Sequence, residues 1–293
     1  MDVNVLACLC VPLALSYSTP DSNFLKSPPE ALKWPHRRQN LLGEILRSNA
    51  DIICLEEVDH FQDFYLPELS QRGFEGVFKS KIDSPCLYVQ PNNGPDGCAM
   101  FYRSTKFTLV QKKELILKDP QGEDSHQVAI LMKFECKSPL TPISEHLQQF
   151  CVAVTHLKAK SGHQEHRLAQ GKHLVSEMTN FAQGVPCIIC GDFNAPPDEP
   201  VYQYFASHQD PTLVSAYTAG YHGNEPPFTS WKFRPSKESK YTIDYLWYTP
   251  ERLAVRGVWK VPTEEDIGKT ALPNFGYPSD HVAIGASFQL QQF

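Results

Sequence analysis

The sequence predicts an α/β protein in which two mixed β-sheets pack as a sandwich flanked by helices. Long strand-only stretches are interspersed with helical ones, an order that fits neither a doubly wound parallel sheet nor an eightfold barrel. Several strands read as short apolar runs, such as Ile52-Ile53-Cys54-Leu55 and Cys187-Ile188-Ile189-Cys190, which marks them as buried. The chain has 293 residues and no linker-like stretch, so it reads as one domain over 1–293. Its 41% hydrophobic and 11% aromatic content supplies a sizeable core.

Taken in order, Val3 to Ala7 reads as a first strand and Ser18 to Pro29, rich in Ser, Pro and Asp, as a loop. From about His36, the residues Leu41, Leu42, Ile45 and Leu46 recur at helical spacing, with Arg37, Arg38, Glu44 and Arg47 between them. Asn49 and Asp51 end that helix, and the strand Ile52–Leu55 delivers Glu56 and Glu57. Phe61, Phe64, Tyr65, Leu66 and Leu69 predict a further helix running to Gly73, and a strand follows near Val77. Pro91-Asn92-Asn93-Gly94-Pro95-Asp96-Gly97 is a concentrated turn signal before a strand at Cys98–Tyr102. Strands follow at Phe107–Leu117, Val128–Phe134 and Phe150–Val154, with a loop at 137–147. Glu165–Phe181 is helical through Leu168, Leu174, Val175 and Met178, and it leads into the strand Cys187–Cys190. Thr242–Tyr248 and Val282–Phe288 complete the expected strands.

Composition excludes some classes of function. A net charge of −6 argues against holding long nucleic acid mainly by counterion release, which wants an extended basic face. The cysteine count of nine is odd, and most of these residues sit in apolar runs, which indicates free thiols in a reducing compartment. Cys187 and Cys190 have C-x-x-C spacing, but with no second pair they read as core. The apolar run Val3–Leu15 has the length of a signal-peptide core, yet no Lys or Arg precedes it and Asp2, Asn4 and Pro12 interrupt it. No run reaches the roughly 20 apolar residues of a membrane span.

Apolar strands repeatedly deliver polar groups at or near one end: Asn4, Glu57, His156, Asp192 with Asn194, Asp244, and Asp280 with His281. Any one of these alone is better read as a capping or satisfied residue. Converging carboxylates with two imidazoles, two amides and no Cys/His ligand cluster point instead to a hard, oxygen-liganded metal and phosphoryl chemistry. Mg²⁺ suits such a set, because it takes one or two carboxylates and binds phosphate oxygens.

Five motifs stand in sequence order: Ile53-Cys54-Leu55-Glu56-Glu57-Val58, Thr155-His156-Leu157, Gly191-Asp192-Phe193-Asn194, Ile243-Asp244-Tyr245 and Ser279-Asp280-His281. Together they resemble the motif set of the exonuclease–endonuclease–phosphatase superfamily over nearly the whole chain, which implies that superfamily's two-sheet sandwich fold. The resemblance also implies roles. Glu57 would be the principal Mg²⁺ ligand, with Asn4 hydrogen-bonding beside it, and Asp280 would assist metal or water binding. Asp192 would orient or deprotonate the attacking water while Asn194 donates to a phosphoryl oxygen. His281 would stabilise charge on the phosphate with its tautomer fixed by Asp244, and His156 would be a second phosphate contact.

Glu30-Ala31-Leu32-Lys33-Trp34 and Asn92-Asn93-Gly94-Pro95-Asp96-Gly97-Cys98 extend the resemblance to a branch related to the deadenylases. Members of that branch were long classed as poly(A) exonucleases and are understood to remove the 2′-phosphate from NADP⁺ and NADPH, giving NAD⁺ and NADH. By resemblance, Lys81, Lys158, Lys160 and Arg234 match positions that hold the dinucleotide's phosphates, although a surface Lys is ordinarily just solvated charge. Four cations suit a compact ligand with three phosphates, whereas a threaded polynucleotide wants a longer basic track with stacking aromatics. This favours a monomeric Mg²⁺-dependent NADP(H) 2′-phosphatase over the alternative, a 3′–5′ poly(A) exoribonuclease with nucleic acid as its main substrate. Two departures from the branch stand out. Lys160 occupies a position where relatives carry Arg and cannot make the bidentate fork, and the first strand lacks the usual Trp before Asn4 and diverges at 8–15. The expected location is the cytoplasm; a mitochondrial address would need an Arg-rich leader upstream.

Overall fold

The computed structural model describes residues 2–10, 24–88, 92–137, 149–235 and 237–291, with the backbone alone at 7–10. The expectations for 11–23, for Pro91 and for most of the loop at 137–147 lie outside these residues. The chain begins with β1 (Asp2–Cys10), α1 (Trp34–Arg47), β2 (Ile52–Val58) and α2 (Leu66–Ser70), which is entered through a π-helical turn at Phe61–Tyr65. It continues through β3 (Phe74–Ser80), β4 (Gly97–Arg103), β5 (Phe107–Lys118), β6 (Asp124–Cys136), β7 (Gln149–His156), α3 (Gln164–Ala182) and β8 (Cys187–Asp192). The last third holds α4 (Pro200–Ala206), β9 (Val214–Ser215), α5 (Ala216–Gly220), β10 (Ser230–Phe233), β11 (Glu238–Tyr241), β12 (Asp244–Tyr248), β13 (Leu253–Val258), α6 (Glu264–Ile267) and β14 (Ile284–Leu290).

These strands build two six-stranded sheets, ordered β13-β14-β1-β2-β4-β3 and β5-β6-β7-β8-β12-β9, plus a two-stranded hairpin of β10 and β11. Both large sheets are mixed, because β1 runs parallel to β2 and β7 parallel to β8 while their other pairings are antiparallel. Side chains alternate across a strand, so each continuous apolar run feeds two cores at once. Ile52, Cys54, Ile188 and Cys190 pack between the sheets. Ile53 and Leu55 turn outward beneath Leu41, Leu42 and Ile45 of α1. Ile189 and Cys187 turn outward beneath Leu174, Val175 and Met178 of α3. The result is the helix–sheet–sheet–helix sandwich that the sequence predicts. Cys187 and Cys190, three apart on a strand, face opposite cores as free thiols, so their spacing forms no ligand pair. Among the described residues no helix is long and apolar enough to cross a membrane.

The pairing registers align one end of both sheets. His156 lies opposite Asp192 across the parallel β7–β8 pair, and Asp244 lies opposite Asp192 across the antiparallel β8–β12 pair. In the other sheet β14 begins opposite Ala7, so the segment before it, with Asp280 and His281, falls at the end where β2 delivers Glu57.

Candidate active site

The polar ends of these strands meet in a buried cluster. Asp192, Asp244 and His281 each turn a ligand atom to within 4.8 Å of the others, a group able to hold a metal ion. The backbone makes this possible at Gly191, whose φ is +147° and whose Cβ, were there one, would stand 1.9 Å from the Thr155 carbonyl oxygen. Asn194 follows at φ +51°, a left-handed conformation that Asn tolerates. Its backbone N–H donates to Asp192 Oδ1 at 2.7 Å, and its Nδ2 donates to Asp192 Oδ2 at 3.2 Å and to the Leu157 carbonyl at 3.1 Å. The Asn turn is therefore both a chain reversal and the support that aims Asp192.

His281 sets its Nδ1 2.9 Å from Asp244 Oδ2, and its Nε2 faces Asp192 Oδ2 and Asp280 Oδ2, each at 3.9 Å. The Thr229 hydroxyl fixes Asp244 by accepting from the backbone N–H groups of Ile243 and Asp244 at 3.0 and 3.2 Å. Burial opposes charge on the His281 ring, yet Asp244, Asp280 and Asp192 outweigh it and raise the pKa to about 9. At neutral pH this ring is an imidazolium. His156, with Nε2 3.6 Å from Asp192 Oδ2, goes the other way: burial, together with Lys81 and His281, pushes it well below the usual range and keeps it neutral. Burial and the Asp244 carboxylate push Asp192 up to about 7 against the pull of His281. Two imidazoles in one site thus have opposite charge states, set by their neighbours.

Glu57 stands where the β2–β4 pairing is interrupted between Leu55 and Val58, at φ +56°. Such a bulge re-aims a side chain, here toward Lys81, Asp280, Asp96 and His281. Burial pushes its carboxyl up to about 7, with Asp280 and Asp96 adding to the rise and Lys81 and His281 opposing it. Asp280 is held low despite burial by the Lys232 ammonium, with which it is paired, and by His281. Lys232, from β10, is a site residue that sequence reading missed, because the Ser-Trp-Lys-Phe run carries no motif. Glu56 is a second group to which the motifs assign no role. It is wholly buried, neither carboxylate oxygen has a hydrogen-bond partner, and burial beside Cys190, Asp244 and Asp192 raises its pKa well above the ordinary value.

Asn4 does not join the site. Its carbonyl accepts from the Asp51 N–H, and its own N–H donates to Asp51 Oδ2 at 3.2 Å. Asp51 precedes β2, so Asn4 sits roughly 20 Å of strand from Glu57, at the opposite end of the sheet. Parallel pairing of β1 with β2 sets this register and places Cys10, not Asn4, opposite Glu56. The divergent first strand carried that signal in the sequence.

The four basic residues divide. Lys81 is buried in an ion pair with Asp96 at 2.6 Å, and Ser84 also donates to Asp96. Lys160 and Arg234 line a cavity of about 580 Å³ that reaches Asn194, Ser230 and Lys232. Lys158 lies two residues before Lys160 on a segment held by Arg167. That guanidinium donates to the carbonyls of Lys158 and Lys160, each at 2.9 Å, while forking onto Glu199 with two 2.8 Å bonds. A smaller cavity of about 260 Å³, lined in part by Cys187 and Thr249, lies at the other end of β8, away from this chemistry.

Comparison with known proteins agrees with this arrangement. The profile of the Endonuclease/Exonuclease/phosphatase family matches residues 4–281. Human nocturnin is 44% identical over 284 residues, which cover 96% of this chain and 64% of the relative's length. The solved human nocturnin catalytic domain with bound sulfate anion superposes with a TM-score of 0.81 at 38% identity, covering 99% of this chain and 95% of that one. Carbon catabolite repressor protein 4 homolog 1 of Arabidopsis thaliana is 31% identical, over 89% of this chain and 54% of the relative. On its strand order, its ordered motifs and these matches, the chain belongs to the endonuclease/exonuclease/phosphatase family, in its nocturnin branch.

Proposed function

We propose that this protein is a Mg²⁺-dependent phosphatase that removes the 2′-phosphate from NADP⁺ and NADPH. The observation that carries the reading is the basic cavity of about 580 Å³ whose lining includes Asn194, the residue hydrogen-bonded to Asp192. Its volume suits one compact ligand, and its cations suit a ligand with several phosphates. The sulfate bound by the human nocturnin catalytic domain is likewise a tetrahedral oxyanion.

The residues fit a hard cation. Glu57 is a buried carboxylate whose pKa stands at about 7 with other carboxylates close by, and a divalent ion offsets that cost. Glu57 and Asp280 would hold Mg²⁺, which when bound neutralises phosphate charge and orients water. The rest of the chemistry belongs to the chain. Asp192, at about 7, is a carboxylate of the right basicity to take a proton from the attacking water. As the water oxygen bonds to phosphorus, the bond to the 2′-oxygen breaks and that oxygen takes up a proton from solvent, so the ribose leaves as the alcohol; Asp192 then gives its proton back to solvent. The His281 imidazolium donates from Nε2 to a phosphoryl oxygen while Asp244 keeps the ring oriented. Neutral His156 adds a contact without repelling the imidazolium, and Asn194 holds Asp192 in line. Lys81, Lys158, Lys160 and Arg234 contact the substrate's phosphates.

A second reading, 3′–5′ trimming of poly(A), is supported by the 30% identity, over 96% of this chain and 40% of the relative, to the CCR4-Not complex 3′-5′-exoribonuclease subunit Ccr4 of Candida albicans. The first is tested by phosphate release from NADPH with and without Mg²⁺. Glu57→Gln and Asp192→Asn should each lower release by at least a hundredfold with the circular dichroism spectrum unchanged. Full activity in either variant refutes the assignment.

A further inference from the structure

The β10–β11 hairpin belongs to neither large sheet, and its two faces differ in kind. Cross-strand partners share a face. One face presents Ser230 with Tyr241, Lys232 with Ser239, and at the tip Arg234 with Lys237, whose backbones bond to each other. All six line the cavity of about 580 Å³. The other face carries Trp231, which packs into the core between the sheets and donates from Nε1 to Glu238 at 2.6 Å. The base of the hairpin is tied to the catalytic loop: Ser230 Oγ donates to the Asp280 carbonyl at 2.9 Å, and Ser230 bridges His281.

Within this wall Lys232 is committed to Asp280, but among the described residues neither Lys160 nor Lys237 is ion-paired. Tyr241 leaves 43% of its surface exposed, and its phenol oxygen lies 3.3 Å from the Lys237 ammonium. An unburied aromatic beside unpaired cations, next to a phosphate-cleaving centre, is the arrangement that takes a base and its phosphates. We propose that this face of the hairpin is the subsite for the rest of the dinucleotide, with Lys237 gripping the diphosphate bridge and Tyr241 stacking on one of the two flat rings. Lys237 then determines the preference for a dinucleotide over a mononucleotide carrying the same 2′-phosphate, and Tyr241 adds to it when the ring it takes is nicotinamide. The inference rests on the reading of the site as an NADP(H) phosphatase.

Calorimetric binding of NADP⁺ and of adenosine 2′-monophosphate, with Mg²⁺ chelated so that neither turns over, tests the subsite. Lys237→Ala should weaken NADP⁺ about tenfold and leave the mononucleotide unchanged; an unchanged NADP⁺ affinity, or an equal loss for both ligands, overturns it. Tyr241→Ala should weaken NADP⁺ by a similar factor, while Tyr241→Phe, which keeps the ring, should bind normally. Loss for both ligands places adenine on the ring, loss for NADP⁺ alone places nicotinamide there, and loss for neither refutes the stack. Phosphate release in Mg²⁺ by the same proteins is read separately. If NADP⁺ binds through Lys237 and Tyr241 but releases no phosphate, the subsite stands and the phosphatase reading falls.

Discussion

Asp244 shows how much chemistry one buried carboxylate controls. Asp244→Asn removes the first of the negative neighbours that lift His281 to about 9, so the imidazolium loses its proton nearer neutrality. Activity should fall on the order of 10²–10⁴-fold, and the alkaline limb of the rate profile, near pH 9 in the parent, should move toward pH 7. Stability follows the same proton. A pKa raised above the free-imidazole value gives stabilisation that is complete below about pH 6.5 and lost as pH rises through about 9. Thermal unfolding should therefore fall less steeply between pH 6 and 10 in the variant; parallel curves would show that Asp244 does not set the charge of His281. Glu56 has the opposite sign. Its folded-state pKa is raised, so above about pH 4.3 the unfolded chain releases a proton that the folded chain keeps, and stability falls as pH rises. Glu56→Gln should accordingly raise the melting temperature by a few degrees at pH 8 and by less at pH 5. No gain at pH 8 would mean that Glu56 has a compensating partner. The Asp244–His281 pair was expected from the resemblance, but the burial of Glu56 was not legible: the sequence announces Glu56-Glu57 as two adjacent carboxylates, and the interrupted β2–β4 pairing sends one into the interior and the other to the site.

At the scale of elements, what the sequence reveals depends on length and periodicity. The helix expected from about His36 and the one at Glu165–Phe181 are observed as α1 and α3, because each presents several turns of apolar spacing. The hairpin was missed because strands of four residues, Ser-Trp-Lys-Phe and Glu-Ser-Lys-Tyr, are shorter than any pattern that could identify them. Arg167 was missed for a related reason, since on α3 it reads as one more exposed charge. It is instead 1% exposed, and its fork onto Glu199 fixes the carbonyls of Lys158 and Lys160. Lys160 itself sits at φ +75°, a conformation that needs such support. Arg167→Met should cost on the order of 3–5 kcal/mol by leaving Glu199 unpaired. It should also raise KM for NADPH more than it changes kcat, and Arg167→Lys, which keeps the charge but not the fork, should fall between. Equal KM values in all three proteins would detach the clamp from substrate binding.

The whole molecule brings distant segments together through sheet register. His156, Asp192 and Asp244 share one edge because β7, β8 and β12 are neighbours in one sheet, and Glu57, Asp280 and His281 arrive from the other. This convergence was legible because each group ends or adjoins an apolar run. Asn4 failed the same test: it also lies in such a run, but a parallel strand's register is fixed by its partner, and that partner carries Asn4 to the far end. Substrate is legible only in part, because the determinants proposed for it are side chains on a loop and a short hairpin rather than motif residues. The central claim is that the cavity beside Asp192 takes a dinucleotide, and one side-by-side assay addresses it directly: the same preparation, in Mg²⁺, with NADPH in one reaction and an A-tailed oligoribonucleotide in the other. Stoichiometric phosphate release from NADPH with the oligonucleotide left at full length is the predicted result, and efficient trimming of the oligonucleotide with NADPH left intact would contradict it.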